Sequence, residues 1–259
     1  MDWLTGPFPL IIGHRGASAE APENTLAAFA LAAKQGAQGI EFDVQLNADG
    51  NVVVMHDATV ERTTNGTGRV SQMSSDELRA LDAGMGQPVP TLDDVFEAFG
   101  PSMLYNVELK VSGLRNKGLE GAVAERIEAY HLQNQVLVSS FSPLALRRAR
   151  RQLAATTMTA LVWMGGRFAQ RVLHGLLPSP QAEHAAWADH PHYPLVDEAY
   201  MAWARERDLR VHVWTVDDAQ EARRLAKLGV HALITNRPQE IASALGDERG
   251  ATDPSATER

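Results

Sequence analysis

The first apolar run, "LIIGHRG", ends in an imidazole and a guanidinium, His14 and Arg15, with Gly13 and Gly16 on either side. Glycines at a strand end let the backbone turn tightly or approach a ligand. A His–Arg pair in that setting suggests a site that binds an anion and moves a proton. Other segments supply partners. "IEFDV" carries Glu41 and Asp43 two residues apart, on one face of a strand. "YNVELKV" carries Glu108 and Lys110 at the same spacing, and "VVVMHD" ends in His56. Three carboxylates, with water and substrate oxygens, suit a hard divalent cation, Mg²⁺ or Ca²⁺. The oxygen-rich set and the absence of cysteine argue against structural zinc. Arg15 offers a fork of donors to a phosphate and Lys110 a point charge. Two imidazoles can divide proton transfer, one taking a proton from the nucleophile and the other giving one to a leaving alkoxide. The chemistry these seven residues suit together is phosphodiester cleavage.

Each residue has a blander reading on its own. Paired acids on a strand commonly form a solvated face, a lone histidine is commonly structural, and Glu108 with Lys110 could be a surface ion pair of little value. Taken jointly, those readings need several coincidences at one end of one fold. Trp214 in "HVWTV" and Asn236 at the end of "ALITN" are read first as structural, with Trp214 kept as a possible wall of a substrate pocket.

The elements that must position these groups alternate. Nine β-rich runs are separated for the most part by helical patterns: "LIIGH", "GIEFDVQL", "NVVVMH", "MLYNVELKV", "QVLVSSF", "TMTALVW", "HAAWAD", "RVHVWTV" and "HALITN". "ENTLAAFALAAKQG" places Leu26, Phe29, Ala30 and Ala33 on one face and stops at Gly36. Ser142 with Pro143, and Asp218 with a stop at Gly229, read as further helix boundaries. Strand–helix alternation predicts parallel strands with right-handed crossovers. A chain of 259 residues suits a single-domain TIM (β/α)₈ barrel over residues 1–246, of α/β class. The ninth run is accounted for by "NADG", a hairpin-type turn that makes the second and third runs antiparallel. Residues 57–90 read as a small insertion after the second strand. A doubly wound sheet competes, but no Gly-rich dinucleotide fingerprint follows any strand. In a barrel the polar residues above all fall at C-terminal strand ends, where such folds place their chemistry.

Composition narrows the class. A formal net charge of −8 argues against broad nucleic-acid binding. No apolar run reaches the ~20 residues of a membrane helix. "MDWLTGPFPL" lacks the basic start and apolar stretch of a signal peptide, so a cytoplasmic protein, monomer or homodimer, is expected. Residues 247–259 are polar and small, and are expected to fray.

The motifs "GHRGASAEAPENTLAAF", "IEFDVQLNADGNVVVMHD", "ERTTNGTGRV", "PTLDDVFE", "NVELK", "VWTVDD" and "LITNRP", in this order, resemble the glycerophosphodiester phosphodiesterases from about Ile11 to about Pro238. The resemblance implies a TIM barrel with a small insertion and hydrolysis of a small-molecule glycerophosphodiester to glycerol 3-phosphate and an alcohol. It implies His14 and His56 as acid and base, Arg15 and Lys110 on phosphate, and Glu41, Asp43 and Glu108 on one divalent metal ion. The chain departs from the pattern in two places: the family usually has an Asp near Asn236, and Asn is common at Asp217. Residues 163–195 match least and are expected, with the insertion, to set selectivity. Two alternatives remain open. One is a lysophospholipase D or sphingomyelinase D type enzyme, which needs an apolar channel. The other is a non-catalytic barrel for phosphorylated ligands.

Overall fold

The computed structural model describes residues 2–6, 8–111, 118–154, 156–164 and 187–251. Nine strands form one sheet: β1 (Leu10–His14), β2 (Gly39–Leu46), β3 (Val52–Val54), β4 (Leu104–Leu109), β5 (Val136–Ser140), β6 (Met158–Trp163), β7 (Trp187–Pro191), β8 (Arg210–Val213) and β9 (Ala232–Thr235). Eight are parallel and close on themselves, because β1 pairs with both β2 and β9. The extra strand, β3, runs antiparallel to β2, with Val44 opposite Val54. The architecture is the TIM barrel expected from the alternating pattern.

The described helices are α1 (Leu26–Lys34), α2 (Ser75–Arg79), α3 (Leu92–Phe99), α4 (Leu119–Ala129), α5 (Pro143–Arg150), α6 (Glu198–Arg205), α7 (Ala219–Leu228) and α8 (Pro238–Ala251). Their ends follow local chemistry. Ser142 and Asp218 accept hydrogen bonds from the N3 backbone amides of α5 and α7, satisfying donors that a helix start leaves free. The α7 C-cap is Gly229 in the left-handed region, φ 83°. In α1 the buried face is Ala28, Phe29 and Ala32, and Ala30 is exposed. The face is therefore rotated from the expected one, because small alanines let the helix seat Phe29 directly against Phe42 of β2, at 5.5 Å between ring centroids. Truncating such a buried ring costs about 3–5 kcal/mol.

Side-chain alternation along the strands divides two cores. Ile11, Phe42, Val107 and Val138 point outward to the helices. Leu10, Ile12, Leu104, Leu137, Ala232 and Ile234 pack inside the barrel and plug its lower half. Continuing the period of two upward brings His14, Glu41, Asp43, Asn106 and Glu108 to the inner face above that plug. Apolar residues therefore fill the bottom of the barrel and polar ones its mouth.

Residues 57–90 leave the second barrel strand through its hairpin partner and form the expected insertion, with α2 and a small core of their own around Val60, Val70 and Leu78. Past 246, where a polar tail is expected, α8 runs on to Ala251, and residues 252–259 lie outside the described set. The segment expected to set selectivity, 163–195, also falls outside it at 165–186.

Candidate active site

The turn after β1 explains its two glycines. A Cβ on Gly13 would sit 2.9 Å from Ala32 Cβ, and one on Gly16, at φ +87°, would sit 2.6 Å from Ala28. Helix α1 packs so closely over this turn that only glycine fits, and the turn lifts His14 and Arg15 to the barrel mouth. Arg15 is left-handed at φ 56°, a conformation that costs a non-glycine residue about 1 kcal/mol or more.

Glu41, Asp43 and Glu108 are all buried, with one oxygen from each lying within 4.8 Å of the others. The β2–β4 register pairs Asp43 with Glu108 directly. Two cations thread the cluster. Lys110 Nζ donates to Glu108 Oε1 at 2.6 Å and lies 2.9 Å from Asp43 Oδ1. Arg15 Nε lies 3.2 Å from Asp43 Oδ2 without hydrogen-bond geometry, a buried donor still lacking an acceptor. Asn24 Nδ2 completes the hold on Asp43 at 3.0 Å.

These surroundings separate the three acids. Burial and the neighbouring Asp43 charge push Glu41 up to about 8 and Glu108 up to about 7. Burial opposes ionisation of Asp43 as well, but Lys110 and Arg15 outweigh it and hold that carboxyl below its ordinary range. The charge is unbalanced. Fully ionised, Glu41, Asp43, Glu108, Glu23 and Asp57 would exceed their described cationic partners Arg15, Lys110 and Arg62 by two negative charges, an excess that the raised pKa values of Glu41 and Glu108 relieve by holding protons while no cation is bound. A buried carboxylate cluster with that excess, made only of hard oxygens, fits one divalent cation of the Mg²⁺ or Ca²⁺ type.

The two histidines are held from behind in different ways. His14 Nδ1 lies 2.7 Å from Asn236 Oδ1. Asn236 is itself fixed, because its Nδ2 donates to Asp217 Oδ2 at 2.6 Å, so its oxygen must face the imidazole. His14 therefore donates from Nδ1 and keeps Nε2, 3.8 Å from Glu41, as its free nitrogen. The two positions noted as departures from the family pattern, Asn236 and Asp217, are thus hydrogen-bonded to each other. Burial and Arg15 lower the His14 pKa. His56 Nδ1 donates instead to a carboxylate, Asp57 Oδ1, at 2.6 Å. Asp57 is held down to about 2 by Arg62 first and His56 second, so it stays ionised.

A cavity of about 210 Å³ lies over these groups, its lining combining polar His14, Arg15, Glu41, His56, Glu108 and Lys110 with apolar Phe141, Val162, Met164, Trp214 and Ile234. Trp214 is anchored by Nε1 donating to His190 O at 2.7 Å and meets Phe141 edge-on at 5.7 Å. All seven residues singled out in the sequence for chemistry thus meet at one mouth, with Trp214 on its wall. Sequence reasoning missed Glu23, Asp57, Arg62 and Phe141, and set Asn236 aside as structural. A polar residue ending a strand in the last turn of a barrel was the available signal for Asn236.

The fold and its acid-lined mouth define a barrel enzyme acting on an anionic ester. Comparison with known proteins sharpens this. A profile of the Glycerophosphoryl diester phosphodiesterase family matches residues 14–240. A glycerophosphodiester phosphodiesterase of Caldanaerobacter subterraneus subsp. tengcongensis is 35% identical over 243 residues, 90% of this chain and 96% of that one. The solved structure of an Oleispira antarctica phosphodiesterase, in complex with the product sn-glycerol-3-phosphate, superposes with a TM-score of 0.75 at 29% identity, covering 92% of this chain and 97% of that one. A glycerophosphodiester phosphodiesterase from Agrobacterium tumefaciens gives 0.76 at 30% identity, covering 92% and 100%. The chain belongs to the glycerophosphoryl diester phosphodiesterase family, and it is a phosphoric diester hydrolase. Among the described residues no helix is long and apolar enough to cross a membrane.

Proposed function

We propose that this enzyme hydrolyses glycerophosphodiesters to glycerol 3-phosphate and an alcohol, with two histidines as base and acid and a divalent cation on Glu41, Asp43 and Glu108. The observation that carries the reading is the pair of imidazoles at one cavity rim, each with Nδ1 committed behind it and Nε2 left for the substrate. Bound there, Mg²⁺ or Ca²⁺ would polarise a phosphoryl oxygen and offset charge growing in the transition state.

The chain's own groups do the rest. Arg15 and Lys110 bind the phosphate. His14 is buried with Arg15 beside it, both favouring the neutral ring, so it takes the proton from the nucleophile. His56 has its Nδ1–H committed to Asp57, which aims its other nitrogen at the cavity, so it gives a proton to the leaving alkoxide. Phe141, Val162 and Trp214 give the non-phosphate part of the substrate an apolar wall that excludes water.

The exposed edge of that wall, with Met164 62% and Phe141 44% exposed, favours a second reading in which the glycerol side of the diester carries an acyl chain, as in a lysophospholipid, and the released alcohol is the small head group. One assay tests both. The protein is incubated with glycerophosphocholine or with lysophosphatidylcholine, with Mg²⁺, Ca²⁺ or chelator. Glycerol 3-phosphate from the first substrate, abolished by chelator, supports the main reading. Choline release from the lysolipid alone would transfer support to the second. Turnover undiminished in excess chelator would remove the metal from either.

A further inference from the structure

Two of the groups assigned to the reaction reach the rim from separate parts of the chain. Arg15 follows β1, and His56 stands just ahead of the insertion. A run of ion pairs that the chemistry does not itself use lies between them. Arg62, in the first turn of the insertion, donates from Nε to Asp57 Oδ2 at 2.5 Å. Its Nη1 and Nη2 donate to the two oxygens of Glu23 at 2.9 and 2.8 Å. Asp57 gives its other oxygen to His56 Nδ1 at 2.6 Å, and Glu23 Oε1 also accepts from Arg15 Nη1 at 2.9 Å.

We propose that Arg62 is a positioning residue for the reaction: by clasping Asp57 and Glu23 at once, it fixes the imidazole of His56 relative to the guanidinium of Arg15 across the mouth. The proposal rests on the reading of His56 as a proton-transfer group. The Arg62 side chain is 47% exposed, and pairs that exposed add little to stability singly. Its geometry is nonetheless specific. Three donors of one planar fork meet two carboxylates, and each carboxylate spends a further contact on a group at the reaction centre. An ammonium is a point charge and cannot make that fork. Without the clasp, Asp57 is free to rotate away, and His56 loses both its Nδ1 acceptor and its aim. A misplacement of about 1 Å can cost about a hundredfold in rate.

A double-mutant cycle on kcat with glycerophosphocholine tests this, using wild type, Arg62→Ala, His56→Ala and the double variant, with thermal unfolding as the control. Arg62→Ala should lower kcat by about ten- to a hundredfold, yet by no more than about twofold once His56 is already alanine. Arg62→Lys should behave as the alanine variant. A full loss repeated in the His56→Ala background would overturn the proposal while leaving the two-histidine reading intact, and so would normal kcat in Arg62→Lys. An unimpaired His56→Ala would instead sink the two-histidine reading and the proposal with it. If Arg62→Ala unfolds, the cycle is read on Arg62→Lys, and unfolding of both would make Arg62 structural and overturn the proposal.

Discussion

Replacing Glu41 by glutamine should make the metal-free protein more stable at alkaline pH, although it removes a residue assigned to metal binding. The native state holds the Glu41 carboxyl up at about 8, against an ordinary 4.5, because it is buried beside Asp43. Between those values the folded protein binds a proton that the unfolded chain has released, so stability falls as pH rises. The wild type bears the cost of an ionised, uncompensated Glu41 at pH 8.5 and largely avoids it at pH 6.5. Integrating a single site at about 8 over that interval gives about 2 kcal/mol. Glutamine has no such term, and because the Glu41 charge also raises Glu108, which titrates in the same interval, its removal adds to the gain in the same direction. In chelator, unfolding of wild type and Glu41→Gln at the two pH values should therefore show the variant gaining about 2 kcal/mol on the wild type, or about 4–8 °C in Tm for a domain of this size. Saturating Mg²⁺ or Ca²⁺ should reverse the order, since only the wild type keeps the full carboxylate set. A difference between the two proteins that does not change with pH in chelator would refute the argument.

Three further outcomes follow from the same geometry. Lys110→Met should raise KM for the diester by about tenfold or more, the weight of one charge-assisted contact, measured in steady-state kinetics. In chelator the same variant should lose about 3 kcal/mol of stability to denaturant, because two buried carboxylates lose their shared cation, and bound metal should restore most of it. Asn236→Leu should cost about ten- to a hundredfold in kcat with a small change in Tm, and ¹⁵N shifts of His14 should report loss of its single Nδ1–H form.

Strand–helix alternation was legible in the sequence because each strand of a barrel is one apolar run, and "NADG" told which pair would be antiparallel. The candidate residues were legible because an acid, imidazole or cation in or at the end of an apolar strand has no bland use once both strand faces are buried, as Glu41 and Phe42 both are. What holds those residues was not legible. Asn236 reaches His14 only because β9 closes on β1, across 222 positions of sequence, and Arg62 reaches Glu23 only because the insertion folds back over the first loop. His190 and His212, 3.0 Å apart and buried inside the barrel, drew no notice for the same reason: their pairing depends on adjacent strands β7 and β8 turning the same face inward. Local pattern names the strand a residue is on, and ring closure decides whom it meets.

The central claim is that His14 and His56 act as base and acid on one phosphodiester. It is tested most directly by measuring His14→Ala and His56→Ala on a glycerophosphodiester with an ordinary alkoxide leaving group and on one with a nitrophenolate, which leaves without a proton. Both variants should lose about two to four orders of magnitude on the first substrate. On the second, His56→Ala should recover much of its rate and His14→Ala should not. Near wild-type rates for both variants on the alkoxide substrate would contradict the account, and recovery of His14→Ala alone would reverse the two roles.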